Sequence, residues 1–337
     1  MAKTTFETDN ALTRKAFEER LFRDTIKEAY WSRFMAPGEN AVVMVDDRFT
    51  REQGDRITFG LAARLGGLAQ AVRGEGQLEG AEQRLTTSSF NVTLEKIRVA
   101  VRDRGSLDRQ RAVFSIDNIS MERLRGQGSE IIDDLAFEKI YLSPTTTFFG
   151  GDATSEGDLD TTDLITPELL SRIKAAAITG RNRRQTPLRP IRIEGKSWYI
   201  MLVHPDVMHD MFEDSAFLQA RREAEVRGEA NPIFQGAKAI YNGVIIHEHE
   251  SVEIFLDGGG GSNVPGARNL FLGQQSLVWA WGKRPQVVAE EFDYGDEHGF
   301  AWGFLAGVAK PTFDTGKGTN DYGSFQVTTA RTRISDL

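Results

Sequence analysis

Hydrophobic and polar positions along the chain follow two different periods, and the switches between them mark the elements. From residue 9 to 35, Leu12, Ala16, Leu21, Ile26, Tyr30 and Phe34 recur every four to five residues. Arg14, Lys15, Glu18, Glu19, Arg20 and Asp24 fill the remaining faces. That spacing predicts a helix with one apolar stripe, capped by Thr8 or Asp9. No partner helix follows at once, so the segment reads as an arm that packs on something else. The period then drops to two. In DRITFGL, residues 55–61, Ile57, Phe59 and Leu61 share one face of a strand. In FNVTLEKIRVAVRD, residues 90–103, Phe90, Val92 and Leu94 are in phase, and Ile97, Val99 and Val101 take the opposite parity. The slip at Glu95–Lys96 predicts a β-bulge or a sharp twist. Between these strands lies LGGLAQAVRGEGQLEGAEQ, polar and rich in glycine. The whole predicts a two-stranded ribbon with a loose tip, a motif barely stable alone in water and expected to lean on a neighbour.

Helical spacing returns over residues 107–142, broken near RGQGS by Gly126 and Gly128, with Ser129 placed to cap the second piece, EIIDDLAFEKIYL. An acidic loop, SPTTTFFGGDATSEGDLDTTD, precedes the helix TPELLSRIKAAAI, which carries Pro167 in its first turn. SWYIMLVHP is apolar on both faces, as a central buried strand requires. Pro205 opens a helix through Met211, and a charged helix, SAFLQARREAEVRG, follows it. After the glycines Gly258–Gly261, LFLGQQSLVWAW reads as a buried short helix or strand. In GFAWGFLAG, Phe300, Trp302 and Phe304 line one face, and SFQVTTART alternates again. Strands and helices mix without a regular βαβ repeat, which predicts an α+β fold.

Composition narrows the classes. The 337 residues are 40% hydrophobic and 27% charged, enough for roughly two domains with a real core. No run of eighteen apolar residues occurs, and the charged N-terminus lacks the apolar centre of a signal peptide. With no cysteine, disulfides, thiol catalysis and thiolate metal sites are excluded, and synthesis in the cytoplasm is expected. A net charge of −8 argues against a dedicated nucleic-acid binder, since phosphate neutralisation needs a basic surface.

Four stretches invite a chemical reading. YNG leads into GVIIHEHESVEIFLDGG, residues 243–259, which places His247, His249 and Glu253 on one face of an extended strand. Two imidazoles and a carboxylate with an open position suit zinc, iron or manganese, and the spacing through Gly260 is similar to the first metal motif of cupins. The second cupin motif is missing, because only His298 remains downstream and it lacks the proline–glycine context. A cupin-type metalloenzyme is therefore the alternative from a different class, against a strand whose Val244, Ile246 and Val252 are simply buried. The loop Asp152–Asp163 offers Asp152, Thr154, Glu156, Asp158, Asp160 and Asp163 at calcium-loop positions, with Gly157 at the turn. Pro144 and Gly150–Gly151 break the helix that should enter such a loop, so an acidic linker is the competing reading. DTGKGT, residues 314–319, imitates a phosphate-binding lysine but has Pro311 and Gly318 at the positions that decide, and reads as a turn. RNRRQTPLRPIR clusters Arg181, Arg183, Arg184, Arg189 and Arg192, to meet either phosphates or the acidic loop of a neighbouring subunit. No nucleophile–base pair, complete metal shell or cofactor cradle emerges, so neither an enzyme nor a cofactor is expected.

The ordered set GDRITFGLAARLGG, NPIFQGAKAIYNGVIIHEHE, LFLGQQSLVWAWG and FDYGDEHGFAWGFLAGVAKPTF resembles the major capsid proteins of tailed bacteriophages. Among these it most resembles the branch of podophages whose virions carry an RNA polymerase, and the likeness runs from about residue 10 to the end. The resemblance implies the Johnson fold. It implies an arm at 1–45, an extended loop at 46–106 and a peripheral domain with a spine helix at 107–164. An axial domain at 165–305 and return strands at 306–337 complete it. It further implies self-assembly, as hexamers and pentamers, into an icosahedral shell around double-stranded viral DNA contacted non-specifically. A separate scaffolding protein, a portal and, where present, a decoration protein are the other implied partners, with no membrane. Synthesis in the host bacterial cytoplasm and residence in the virion capsid follow. Subunit contacts are expected at Arg73, Glu75, Gln77, Glu79 and Glu82 of the ribbon and at Arg181, Arg183 and Arg184. An encapsulin-like compartment shares the fold and is the nearer alternative. The short arm after Met1 predicts that scaffolding is not fused to this chain and that the arm is not cleaved away. The acidic balance predicts an inner wall that does not hold packaged DNA tightly.

Overall fold

The computed structural model describes residues 29–48, 54–62, 87–111, 116–180, 187–193, 195–213, 237–314 and 318–332, with isolated positions at 72, 77, 79, 80, 82, 85 and 217. A 3-10 turn, Tyr30–Phe34, leads into strands β1 (Met35–Ala36), β2 (Val43–Asp46), β3 (Arg56–Ala62), β4 (Thr87–Thr93) and β5 (Glu95–Arg102). Helices α1 (Ser106–Arg111) and α2 (Ile116–Tyr141) come next, then β6 (Thr147–Phe149) and α3 (Pro167–Thr179). Strands β7 (Ile191–Ile193) and β8 (Lys196–Val203) precede α4 (Pro205–Glu213), followed by β9 (Ala237–Tyr241), β10 (Val244–Glu248) and β11 (Ile254–Gly258). The chain ends through β12 (Val264–Leu272), β13 (Leu277–Phe292), β14 (Glu297–Ala309), β15 (Thr312–Asp314), β16 (Thr319–Asp321) and β17 (Ser324–Ala330). No described helix is long and apolar enough to cross a membrane.

Two compact units share the chain: Met1–Asp55, Thr93–Lys139 and Leu277–Ala309 form one, and Arg56–Val92, Ile140–Ser276 and Lys310–Leu337 the other. The first holds a five-stranded sheet in the order β1-β2-β13-β14-β5. Its spine is the long antiparallel hairpin of β13 and β14, where Trp279, Trp281, Val287, Trp302, Phe304 and Ala306 are buried. The Asp133 carboxylate of α2 accepts the Tyr30 and Trp31 amides at 2.8 and 3.0 Å, and Trp31 packs edge-on against Phe137 with ring centroids 5.3 Å apart. Burial pushes the Asp133 carboxyl above its usual value, against the pull of those two amides. The arm thus ends in a turn pinned to the helix.

The second unit holds a sheet in the order β6-β17-β12-β8-β10-β9, with β11 added on β12 and β7 on β8. Trp198–Val203 of β8 are all buried: β10 and β12 pair with its two edges, and Tyr199, Met201 and Val203 pack on one face against residues of α3 and α4. One core joins Leu169, Leu170 and Ile173 of α3 with Met201, Val207, Met208, Met211, Phe271 and Phe325. Each such side chain, fully buried, contributes about 1.5–3 kcal/mol. Thr166 caps α3, its hydroxyl accepting the Leu169 amide at 3.2 Å, and Pro167 takes the first helical position. Asn242 and Gly243 both adopt positive φ, the type I′ turn that joins β9 to β10 in register.

Several expectations need correction. Residues 9–28 of the expected arm helix lie outside the described residues, and the rest is a 3-10 turn followed by a strand, with Trp31, absent from the expected stripe, fully buried. The parity slip after Leu94 is a change of sheet rather than a bulge: β4 pairs with β3, and β5 pairs with β14. Helix α2 runs unbroken through Gly126 and Gly128, and Ser129 donates to the Gly126 carbonyl at 2.9 Å instead of capping a new helix. A helical glycine costs about 1 kcal/mol. Here that cost is offset by a buried stripe stepping four residues at a time through Ser120, Leu124, Gly128, Ile132, Ala136 and Ile140. LFLGQQSLVWAW is neither one helix nor one strand but the end of β12, a turn with Gln275 at φ 53°, and the start of β13. As for the expected segments, Leu277–Leu305 belongs to the unit that holds most of α2, and Lys310 onward to the other. The charged helix expected at 215–228 lies outside the described residues except for Phe217, which is buried.

Candidate assembly surfaces

The ribbon's base rests on its own unit. Phe59 of β3 stacks on Phe90 of β4 with centroids 5.2 Å apart, and Phe90 meets Phe313 of β15 edge-on at the same distance. The Asp314 amide donates to the Ser88 hydroxyl at 3.0 Å. Ile57 is buried, and Phe59 and Leu61 half-buried on the same face, as the alternation requires. Towards the tip, Gln77, Glu79 and Glu82 are exposed, as are Val72 and Leu85. Glu82 accepts the Gly80 amide at 2.8 Å, and Gln77 reaches Glu79 at 3.5 Å. Arg73 and Glu75, and likewise Arg181, Arg183 and Arg184, lie outside the described residues. Other exposed apolar side chains include Ile254 and Leu256 on β11 in one unit, and Val101 on β5, Val288 on β13 and Tyr294 at the β13–β14 hairpin tip in the other. Tyr294 is fully exposed, with its backbone at φ 55°.

The acidic loop is stitched to its own surroundings. Asp158 accepts the hydroxyls of Thr154 and Ser155 at 2.6 and 2.9 Å, and these bonds hold its carboxyl below the usual range. Asp160 takes the amide and hydroxyl of Thr162 at 2.7 and 2.6 Å, with the same effect. Buried Asp163 accepts the Asp160 amide at 2.9 Å and lies against Gly150 and Gly151; a Cβ on Gly150 would fall 2.1 Å from the Asp163 carbonyl oxygen. Glu156 forms a two-pronged pair with Arg268 of β12, at 2.8 and 2.9 Å. That hydrogen-bonded guanidinium lowers the Glu156 carboxyl, and Arg268 is raised in turn. The carboxylates Asp152, Glu156, Asp158, Asp160 and Asp163 do not converge on a point where calcium would sit.

His247, His249 and Glu253 do not converge either. β10 ends at Glu248 because its pairing with β8 ends at Val203. His247 is fully buried inside the sheet. His249 lies past the strand, donating its amide to Val203 at 3.0 Å and accepting the Ser251 amide on Nδ1 at 3.1 Å. Glu253 follows a turn and pairs with Arg268 at 2.5 Å. The Tyr141 hydroxyl bridges the same region, accepting the Glu253 amide and donating to the Arg268 carbonyl, and burial raises its pKa. These residues knit β11, β12 and the acidic loop together.

Among the described residues, the set of three potential ligands whose donor atoms lie within 4.8 Å of one another is Asp103, Asp117 and His298. Sequence reading passed over it, since the residues come from the end of β5, the first turn of α2 and the start of β14. His298 alone was visible as a histidine without a motif.

Comparison with known proteins then bears on what these surfaces are for. A family model described as phage capsid protein matches residues 5–143 and 136–332. The major capsid protein of Pseudomonas phage KPP25 is 25% identical, over 91% of this chain and 92% of that protein. The capsid of Ralstonia phage GP4 superposes with a TM-score of 0.81 at 26% identity, covering 99% of this chain and 96% of that one. The capsid asymmetric unit of cyanophage Pam1 is similar in fold, with a TM-score of 0.75 at 21% identity over 91% and 93% of the two chains.

Proposed function

The chain belongs to the phage capsid protein family, and from this premise we propose that its copies assemble as hexamers and pentamers into an icosahedral shell around double-stranded DNA. It is a major capsid protein with the α+β Johnson fold; the relatives named above are phage capsids, and none of them is an encapsulin or a cupin. The observation that carries the reading is the likeness to the Ralstonia phage GP4 capsid, at a TM-score of 0.81 over 99% of the chain. A family of structural proteins supports a role without catalysis.

In this proposal the unit holding most of α2 and the β13–β14 hairpin serves as the peripheral part, with α2 as its spine. The unit built on β8, β10 and β12 serves as the axial part, gathered at capsomer centres. The arm (1–45) and the extended loop (46–106) reach across neighbouring copies. Arg73, Glu75, Gln77, Glu79 and Glu82 of that loop, with Arg181, Arg183 and Arg184, supply polar contacts between copies. Heterologous contacts of this kind close into rings and shells. A scaffolding protein, a portal and, where present, a decoration protein are the remaining partners. Synthesis takes place in the host cytoplasm. The net charge of −8, repeated over many copies, repels packaged DNA rather than gluing it to the wall.

The test compares the whole chain with a deletion of residues 70–84, each co-produced with scaffolding protein and analysed by sedimentation and electron microscopy. The whole chain gives closed shells of uniform diameter. The deletion gives a folded subunit, judged by circular dichroism, that forms no regular shell. Normal shells from the deletion would remove the ribbon from assembly, and no particles from the whole chain would overturn the reading itself.

A further inference from the structure

We propose that Asp103, Asp117 and His298 form a binding site for a divalent transition-metal ion of the zinc class, which clamps the first turn of α2 to the ends of β5 and β14. All three belong to the same unit, so the site is complete within one chain. The main chain fixes two of them: the His298 amide donates to Asp103 Oδ1 at 2.6 Å, and the Asp103 amide donates to the His298 carbonyl at 3.0 Å. This closes the β5–β14 ladder one residue beyond its last paired position, Arg102 with Gly299. Asp117 approaches from the helix, its Oδ2 3.5 Å from His298 Nδ1.

Two observations separate this cluster from an ordinary patch of acids. One donor is an imidazole nitrogen, which zinc, nickel and cobalt accept and which calcium and magnesium avoid. The other is Asp117 Oδ1, an oxygen shielded from solvent and without a hydrogen-bond partner, on a side chain that is otherwise 38% exposed. The His298 ring faces Oδ2 alone, 3.5 Å away, and leaves Oδ1 as it is. A metal ion gives the carboxylate a partner of full charge at either oxygen. Arg102, the neighbouring cation, is already engaged by Glu297 and lies over the Phe292 ring, 4.2 Å from its centroid. With metal bonds of about 2.0–2.2 Å, ligand atoms stand about 3–3.6 Å apart, so shifts of about 1 Å complete the site. Three protein ligands leave a fourth position for water. The acidic loop Asp152–Asp163 differs on both counts: its donors are all oxygens, and its carboxylates, held apart by local hydroxyls and by Arg268, bring no three ligand atoms together.

The test titrates zinc chloride into the full-length, metal-stripped protein by calorimetry near neutral pH, alongside His298→Gln and Asp117→Asn. Wild type binds one ion per chain, and each variant weakens binding at least about tenfold while its metal-free melting curve stays unchanged. Calcium and magnesium give no heat that depends on His298. As a readout that needs no variant, zinc protects His298 of the wild type from diethylpyrocarbonate, followed by peptide mass spectrometry. Absence of zinc binding, binding of equal strength in folded variants, or His298 modified at the same rate with and without zinc would each overturn the site. None of these outcomes touches shell formation, which stands or falls on its own experiment.

Discussion

Two carboxylate clusters in this protein teach opposite lessons. The loop Asp152–Asp163 is contiguous, regularly spaced and easily taken for a calcium motif, yet each of its bonded acids has a local partner. Asp103, Asp117 and His298 have no motif, come from three elements, and place their donor atoms within 4.8 Å of one another. Spacing in sequence tells which residues are neighbours along the chain. Coordination needs neighbours in space, and the acids of the loop satisfy hydroxyls, amides and a guanidinium before any ion arrives.

If the loop is structural, damaging it lowers stability, whereas damage to the other cluster without metal does little. The largest effect is expected from Gly150→Ala, whose Cβ would press on the Asp163 carbonyl oxygen. Denaturant unfolding should show a loss of about 1–3 kcal/mol, and an unchanged midpoint would mean the loop is not tightly held. Next comes Arg268→Ala, which strands Glu156 and Glu253. Both carboxylates are partly exposed, so water screens the loss to about 1–2 kcal/mol. The pH dependence sharpens this. The folded Glu156 carboxyl is depressed by Arg268, so its stabilisation is present above the unfolded value, about 4.3. It is lost as pH falls through the lower folded value. The gap between wild type and Arg268→Ala should therefore be widest near neutral pH and narrow below about pH 4; a gap independent of pH would mean that packing, not charge, is what Arg268 provides. The smallest effect is expected from Asp117→Asn in metal-free protein, within about 0.5 kcal/mol. A large metal-free loss there would make Asp117 a structural residue like those of the loop.

What was legible in the sequence follows the same division. β3, β8, β14 and β17 could be read from alternation or continuous apolarity, because both are local consequences of how a strand is buried. Pro167 announced the first turn of α3, because a cap position is set by a single residue, whereas YNG was legible only as the lead into β10 and the hairpin with β9 was not. The continuity of α2 was not readable, since two glycines argue locally for a break and a buried stripe supplied by the rest of the unit overrides them. The end of β10 was hidden for a similar reason: its partner β8 stops at Val203, and that places His249 and Glu253 off the strand. The parity slip between Leu94 and Ile97 marks a discontinuity, but nothing local distinguishes a bulge from the change of sheet that occurs there. His298 and Asp117 lie 181 positions apart, beyond any local pattern.

The most direct test of the assembly account is a cryo-electron microscopy reconstruction of particles purified from cells making this chain together with the scaffolding protein that the account proposes. The account predicts closed shells with pentamers at the vertices, the β8-containing sheets around capsomer centres, and residues 77–82 lying over an adjacent copy. Protein that stays at single-chain mass under every assembly-promoting condition, or shells whose ribbons touch no neighbour, would contradict it.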